Sequence, residues 1–175
     1  MSQDVNTYFL MGRFFLKEDQ FDMAINTFSK AIELDTENPL YYDYRGISRS
    51  EKKAYRDSIL DFTKAIQIDN KYVGAYCNRG LAYYKLGQLD KAIKDYDKAI
   101  ELDSETSFFY SNRGLAYYYC SEYFEAITDF NKAIELDPLD FEARDFREEA
   151  YANLSEGEKS IVDMADSTNN QTSLK

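Results

Sequence analysis

The sequence predicts an all-α protein, an array of antiparallel helix pairs, and three observations carry that prediction. The string Lys-Ala-Ile recurs at Lys30, Lys64, Lys98 and Lys132, each step 34 residues. A fixed period of that length marks one supersecondary unit used repeatedly. Within a unit, Ile25, Phe28, Ala31 and Ile32 sit at i, i+3, i+6 and i+7, one stripe of a helix. The 175 residues include only 7 Gly and 2 Pro, too little turn punctuation for an all-β sandwich.

Four copies follow in order, at 5–38, 39–72, 73–106 and 107–140, with no insertions. The first helix of each copy carries a glycine: Gly12, Gly46, Gly80 and Gly114. Tyr8, Tyr42, Tyr76 and Tyr110 stand four residues earlier, one turn away on the same face. A helical glycine costs about 1 kcal/mol against alanine. Keeping it four times implies a tightly crossing partner helix, with Ala24, Ser58, Ala92 and Ala126 as that partner's small residues. The second-helix stripe returns as Ile59-Phe62-Ala65-Ile66, Ile93-Tyr96-Ala99-Ile100 and Ile127-Phe130-Ala133-Ile134. Each copy thus reads as two helices of about 13 residues, the usual globular length.

Turns within copies are expected near Lys17–Gln20, Lys53, Gly87 and Ser121. Turns between copies fall near Asp35–Asn38, Asp69–Lys71, Asp103–Thr106 and Asp137–Asp140. Pro39 and Pro138 suit helix starts, where a missing N–H is harmless. Residues 141–155 continue the helical register with Glu148 in the glycine column. They read as a helix capping the last apolar face, which a solenoid requires. Residues 1–155 then form one array. Residues 156–175, rich in Ser, Thr, Asn and Gln, read as a disordered polar tail. One variant has Ile161, Val162 and Met164 of that tail docking in the chain's own groove.

Composition removes several function classes. The chain has no histidine, which excludes Ser-His-Asp and Cys-His catalysis and histidine metal ligands. It shows no Gly-rich phosphate loop, nucleophile elbow or CxxC motif. An enzyme is therefore not expected, nor any catalytic residue, cofactor or metal. A net charge of −11 argues against nucleic acid and anionic membrane surfaces as partners. The opening MSQDVNTYFL lacks the basic-then-apolar signature of a leader. Cys77 and Cys120 fit a reduced, cytoplasmic protein. Charge is uneven: the second copy, with Arg49, Lys52, Lys53, Arg56 and Lys71, is net basic, and the fourth is strongly acidic.

An internal correlation stands out. Arg45, Arg79 and Arg113 precede the glycines of copies two to four, and Asp61, Asp95 and Asp129 follow them by 16 residues. Copy one has Met11 and Thr27 in those columns. The two charges appear and vanish together, so each arginine is expected to pair with its aspartate at a partly buried helix crossing. This is a structural ladder, since the counter-charge is already supplied. Arg147 shares the arginine column, which suggests that Asp129 also reaches forward to it.

These motifs resemble the tetratricopeptide repeat. The fourth copy shows the pattern most fully, with Tyr110, Gly114, Tyr117, Ala126, Phe130, Ala133 and Pro138. The second departs most, with Arg49 for an aromatic and Ser58 for an alanine, and is expected to be the loosest. The resemblance covers 5–140 and implies a right-handed superhelical α-solenoid whose first helices line a concave groove. Carried over by column, the groove would present Phe9 and Arg13 from copy one and Tyr44 from copy two. Asn78, Leu81, Tyr84 and Lys85 would come from copy three, and Asn112, Leu115, Tyr118 and Tyr119 from copy four. Ser50 and Glu51 fall on the same columns. Asparagine offers an amide donor and acceptor to a peptide backbone, and tyrosine a large contact area with few torsions. The resemblance implies a non-enzymatic adaptor or scaffold that binds a peptide segment of another protein. The alternative is a unit that self-associates into a homo-oligomer. The carboxylate clamp of chaperone-tail binders is absent: in one frame its columns hold Phe9, Arg13, Tyr44, Gly74 and Asn78, and in the other Asp43, Ile47, Asn78, Phe108 and Asn112.

Overall fold

A computed structural model describes residues 4–162. Their regular structure is helical: α1 (Val5–Lys17), α2 (Phe21–Leu34), α3 (Pro39–Glu51), α4 (Tyr55–Ile68), α5 (Val73–Lys85), α6 (Leu89–Leu102), α7 (Ser107–Tyr119), α8 (Tyr123–Leu136) and α9 (Phe141–Asn153). First helices have 13 residues and second helices 14. The helices fall into two compact units, Met1–Ser104 with α1 to α6 and Glu105–Lys175 with α7 to α9. In both units each first helix packs on the second helix of its own pair, the helix-pair order of an α-solenoid.

The glycine column has a more specific cause than small-residue crossing. A Cβ on Gly12, Gly46 or Gly114 would lie 2.5, 2.6 or 2.8 Å from the ring of Phe28, Phe62 or Phe130. At Gly80 the nearest atom, on the Tyr96 ring, is 3.0 Å away. An aromatic ring on the second helix occupies the place of each missing side chain. Ala24, Ser58, Ala92 and Ala126 are fully buried but are not the glycines' nearest neighbours. Tyr96 is the one phenol in that column, and among the described residues its buried hydroxyl has no hydrogen-bond partner.

The turn inside each pair passes through the left-handed region at Asp19 (φ 55°), Lys53 (φ 60°), Gly87 (φ 70°) and Ser121 (φ 63°), again 34 residues apart. Backbone hydrogen bonds such as Gln20 N–H to Phe15 O (2.8 Å) and Asp19 N–H to Leu16 O (3.2 Å) close each helix end, the Schellman arrangement that favours glycine. Only the third copy uses glycine. Lys53→Gly is expected to raise stability by about 1 kcal/mol, read as a higher urea midpoint. A lowered midpoint would show that the Lys53 side chain contributes more than its backbone costs.

Both departures in the second copy are satisfied. Ser58 Oγ–H donates to Tyr55 O (2.9 Å), and Arg49 Nη1 donates to Asp61 Oδ2 (2.7 Å). The basic island is partly neutralised in place, since Lys52 also pairs with Asp22.

The second unit corrects the start of the tail. Residues 156–162 are helical, and Val162 is buried in one cluster with Ala126, Ile127, Ala150 and Leu154. Apolar contact therefore holds this stretch, despite its polar neighbours. It lies against α8 and α9, in a hollow lined by Ile127, Arg147, Glu148 and Tyr151. Ile161 remains 57% exposed. Met164 and the rest of the tail lie outside the described residues.

Candidate functional site

The arginines and aspartates form the ladder that fixes the first-helix faces. Arg45 donates through Nε (3.0 Å) and Nη2 (2.7 Å) to Asp61, and its Nη1 reaches back to Ser29 Oγ of α2 (3.1 Å). Arg79 repeats this, with Asp95 at 2.8 and 2.7 Å and Thr63 Oγ1 of α4 at 3.1 Å. Each guanidinium therefore ties three helices, its own, its pair partner and the helix before. In the second unit Arg113 donates to Asp129 through two bonds of 2.7 Å. Arg147 Nη1 donates to Asn131 Oδ1 at 3.3 Å, the same backward reach. Asp61, Asp95 and Asp129 are buried. The guanidinium carbons also lie 5.7, 5.7 and 5.8 Å from the rings of Tyr42, Tyr76 and Tyr110, which gives the tyrosine column a cation–π role.

The first unit brings its candidate groove residues together in two places. At the N-terminal end, Phe9 packs against Tyr41 and Tyr44 with ring centroids 5.4 and 5.3 Å apart. The exposed Arg13 guanidinium lies 5.8 Å from both the Phe9 and the Tyr44 ring. Further along, Ser50, Glu51 and Lys53 of the α3 end meet Tyr55, Leu81, Ala82 and Lys85 around a hollow of about 220 Å³. Ser50 Oγ is buried there without a hydrogen-bond partner. The Lys85 ammonium sits 5.6 Å from the Tyr84 ring centre.

Asn78 lies in a network that sequence reasoning missed. Its amide Nδ2 donates to Asp43 Oδ1 (2.9 Å), and the Tyr72 hydroxyl donates to Asp43 Oδ2 (2.7 Å). An ionised carboxylate only accepts, so the bond fixes which end of the Asn78 amide faces Asp43. Burial pushes the Asp43 carboxyl above its ordinary range, and the two hydrogen bonds pull it back. Burial, with Asp43 nearby, pushes the Cys77 thiol up to about 12, so Cys77 is an inert, small apolar residue. The only signal for this network was that Asp43 stands 35 residues before Asn78, one repeat plus one.

In the second unit the tyrosines divide. Tyr118 turns onto α9: its hydroxyl donates to Glu149 Oε2 (3.0 Å), and its ring meets Phe146 at 5.3 Å. Tyr119 stays 55% exposed. Leu115 packs partly against the core cluster. The Asn112 amide donates to Phe108 O on its own helix (2.7 Å). Among the described residues no cluster of His, Cys, Asp or Glu could hold a metal ion, and no helix is long and apolar enough to cross a membrane.

Helix pairs on a 34-residue period, locked by an arginine ladder and presenting first-helix side chains, define a repeat protein of the interaction-scaffold class. The chain belongs to the tetratricopeptide repeat family: the family profiles match residues 5–38, 50–87, 73–105 and 107–139. Among curated proteins no relative matches it. Its fold is similar to that of MamA, at 29% identity and TM-score 0.74, covering 77% of this chain and 78% of that one. MamA 41-end from Desulfovibrio magneticus RS-1 gives 18% and 0.77, covering 86% and 90%. The first TPR of Spaghetti (RPAP3), bound to the HSP90 peptide SRMEEVD, gives 24% and 0.67, covering 69% and 96%. The last two bear on fold alone.

Proposed function

We propose that this chain is a non-enzymatic adaptor that binds a peptide segment of a partner protein along its first helices, in a cytoplasmic setting. The observation that carries this is the hollow between the α3 end and α5. Ser50, Glu51, Leu81 and Lys85 all sit on expected groove columns and surround it. Among the described residues Ser50 Oγ has no hydrogen-bond partner, and a buried unsatisfied hydroxyl costs about 1–3 kcal/mol. Rotation of the Ser50 hydroxyl to another staggered position would turn it toward a peptide N–H or C=O in the hollow and satisfy it. Asn78, held by Asp43, and the ring-stacked Arg13 extend the preorganised face. In the second unit Asn112, Leu115 and the exposed Tyr119 are the proposed contacts, and Tyr118 supports them through Glu149. The chaperone-tail clamp is not part of the proposal, because its columns are not filled.

Affinity capture tests this with the wild type beside a Ser50→Ala/Asn78→Ala double variant. A set of proteins lost only from the variant is expected. Ser50→Ala alone should also melt a few degrees higher while binding those proteins less. Identical captured sets would place the binding surface elsewhere.

A further inference from the structure

Helix α1 is apolar on two sides. One side, with Val5, Tyr8, Phe9, Phe15 and Leu16, is at least partly buried within the first unit. On the other side Leu10 is 54% exposed, Met11 38% and Phe14 58%. With Thr7 they form a stripe at i, i+3, i+4 and i+7. An apolar stripe on a helix normally faces a packing partner, and this second stripe is exposed.

The repeat register shows what kind of neighbour fits. In α3 the columns of Thr7 and Phe14 hold Tyr41 and Ser48, and in α5 Ala75 and Ala82, all buried. The Met11 column holds Arg45 and Arg79, whose third donors reach Ser29 on α2 and Thr63 on α4. These columns therefore face a packed helix wherever one is present. On α1 they are open.

The occupant follows from charge and shape. Residues 163–175 contain Met164 and Leu174 as their only large apolar side chains, too few to cover the stripe. The outward residues of α9 include Glu142, Asp145, Glu148 and Glu149, all exposed, and its one exposed aromatic, Phe141 at 62%, stands at its first residue, so that helix is a mainly acidic and poor match for an apolar stripe. The stripe is its own complement. About a point between Leu10 and Met11, an antiparallel second α1 sets each Phe14 ring over the partner's smaller Thr7 and brings the two Met11 side chains together. The sole charge between Val5 and Leu16 is Arg13, whose guanidinium lies over Phe9 and Tyr44. Two chains of net charge −11 can meet over the stretch from Thr7 to Phe14 without stripping water from a carboxylate, with Asp4 and Glu18 at the ends of the stripe.

We infer that a second copy of this chain covers the stripe, forming a two-fold dimer through antiparallel α1 helices. The contact is closed rather than stacking, as a two-fold requires. Three side chains at these exposures give on the order of 300 Å² per copy, about 600 Å² in all, below the roughly 1,000 Å² that a stable specific interface clears, so the dimer is weak, transient and concentration-dependent. Leu10 and Lys17 also lie on groove columns, so the dimer borders the peptide face, but it does not depend on peptide binding.

Light scattering reads the outcome directly. The mass should rise from 20.4 kDa toward twice that between low-micromolar and millimolar protein. Phe14→Glu should hold it at one chain with the melting temperature kept, because Phe14 is exposed. In a Cys120→Ser background, Met11→Cys should oxidise to a covalent dimer, since the two sites lie near the axis. Phe14→Cys should give at least tenfold less, because its two copies are offset by seven residues, about 10 Å along the helix, beyond disulfide reach. A constant mass of one chain, a dimer untouched by Phe14→Glu, or equal cross-linking at both positions would each overturn the inference.

Discussion

Asp61→Ala is expected to lower stability by about 3–5 kcal/mol, the cost of removing one partner from a buried ion pair. The carboxylate is buried and accepts from two guanidinium groups, Arg45 and Arg49, each at 2.7 Å. Their other contacts, Ser29 Oγ at 3.1 Å and Asp57 O at 3.4 Å, do not replace a carboxylate. Much of the loss is the penalty of two half-buried cations left without a counter-charge. Replacing all three residues by apolar ones of similar volume should therefore recover most of it, because a buried ion pair gains little over packed hydrocarbon. Urea unfolding of the single and triple variants checks both statements. An unchanged midpoint for Asp61→Ala would remove the ladder from the stabilising contacts. Peptide binding should survive wherever the single variant remains folded, since Asp61 is not on a groove column.

Gly46→Ala is expected to cost about 1–3 kcal/mol through overpacking. Its Cβ would lie 2.6 Å from the Phe62 ring, and Phe62 is 1% exposed, leaving the ring nowhere to go. Alanine's better helix propensity returns about 1 kcal/mol, which does not offset that clash. Gly80→Ala is the contrast. Its nearest ring atom is 3.0 Å away, a shift of a few tenths of an ångström suffices, and the propensity gain brings the change close to zero. Thermal melts of the two variants should therefore separate. Equal losses at both glycines would mean that the ring column does not set the crossing.

The fold was legible in the sequence because its cause is periodic. Lys-Ala-Ile and Arg-Gly recur in register, and helix ends follow from where the stripes stop. Features that vary within the period were less legible. The period placed the turns at Lys53 and Ser121, but no glycine announces their left-handed backbone. The ring that fills each glycine's side-chain space was visible as a core residue, but its target was not. In the candidate site, column rules placed Asn78, Leu81 and Lys85 together on one helix, α5. They could not show that Asn78 is held by Asp43, or that Tyr118 turns to Glu149, because those bonds depend on the offset between successive pairs. The start of the tail was misplaced because local composition outweighed one apolar contact, Val162 against the Ile127 cluster.

Amide chemical-shift mapping of the wild type with a peptide selected from a random display library tests peptide recognition by the first helices most directly. In the first unit, perturbed amides should concentrate on α3 and α5, around Ser50, Glu51, Asn78, Leu81 and Lys85. Perturbations centred instead on the second helices, around Leu60 of α4 or Lys94 of α6, would contradict it.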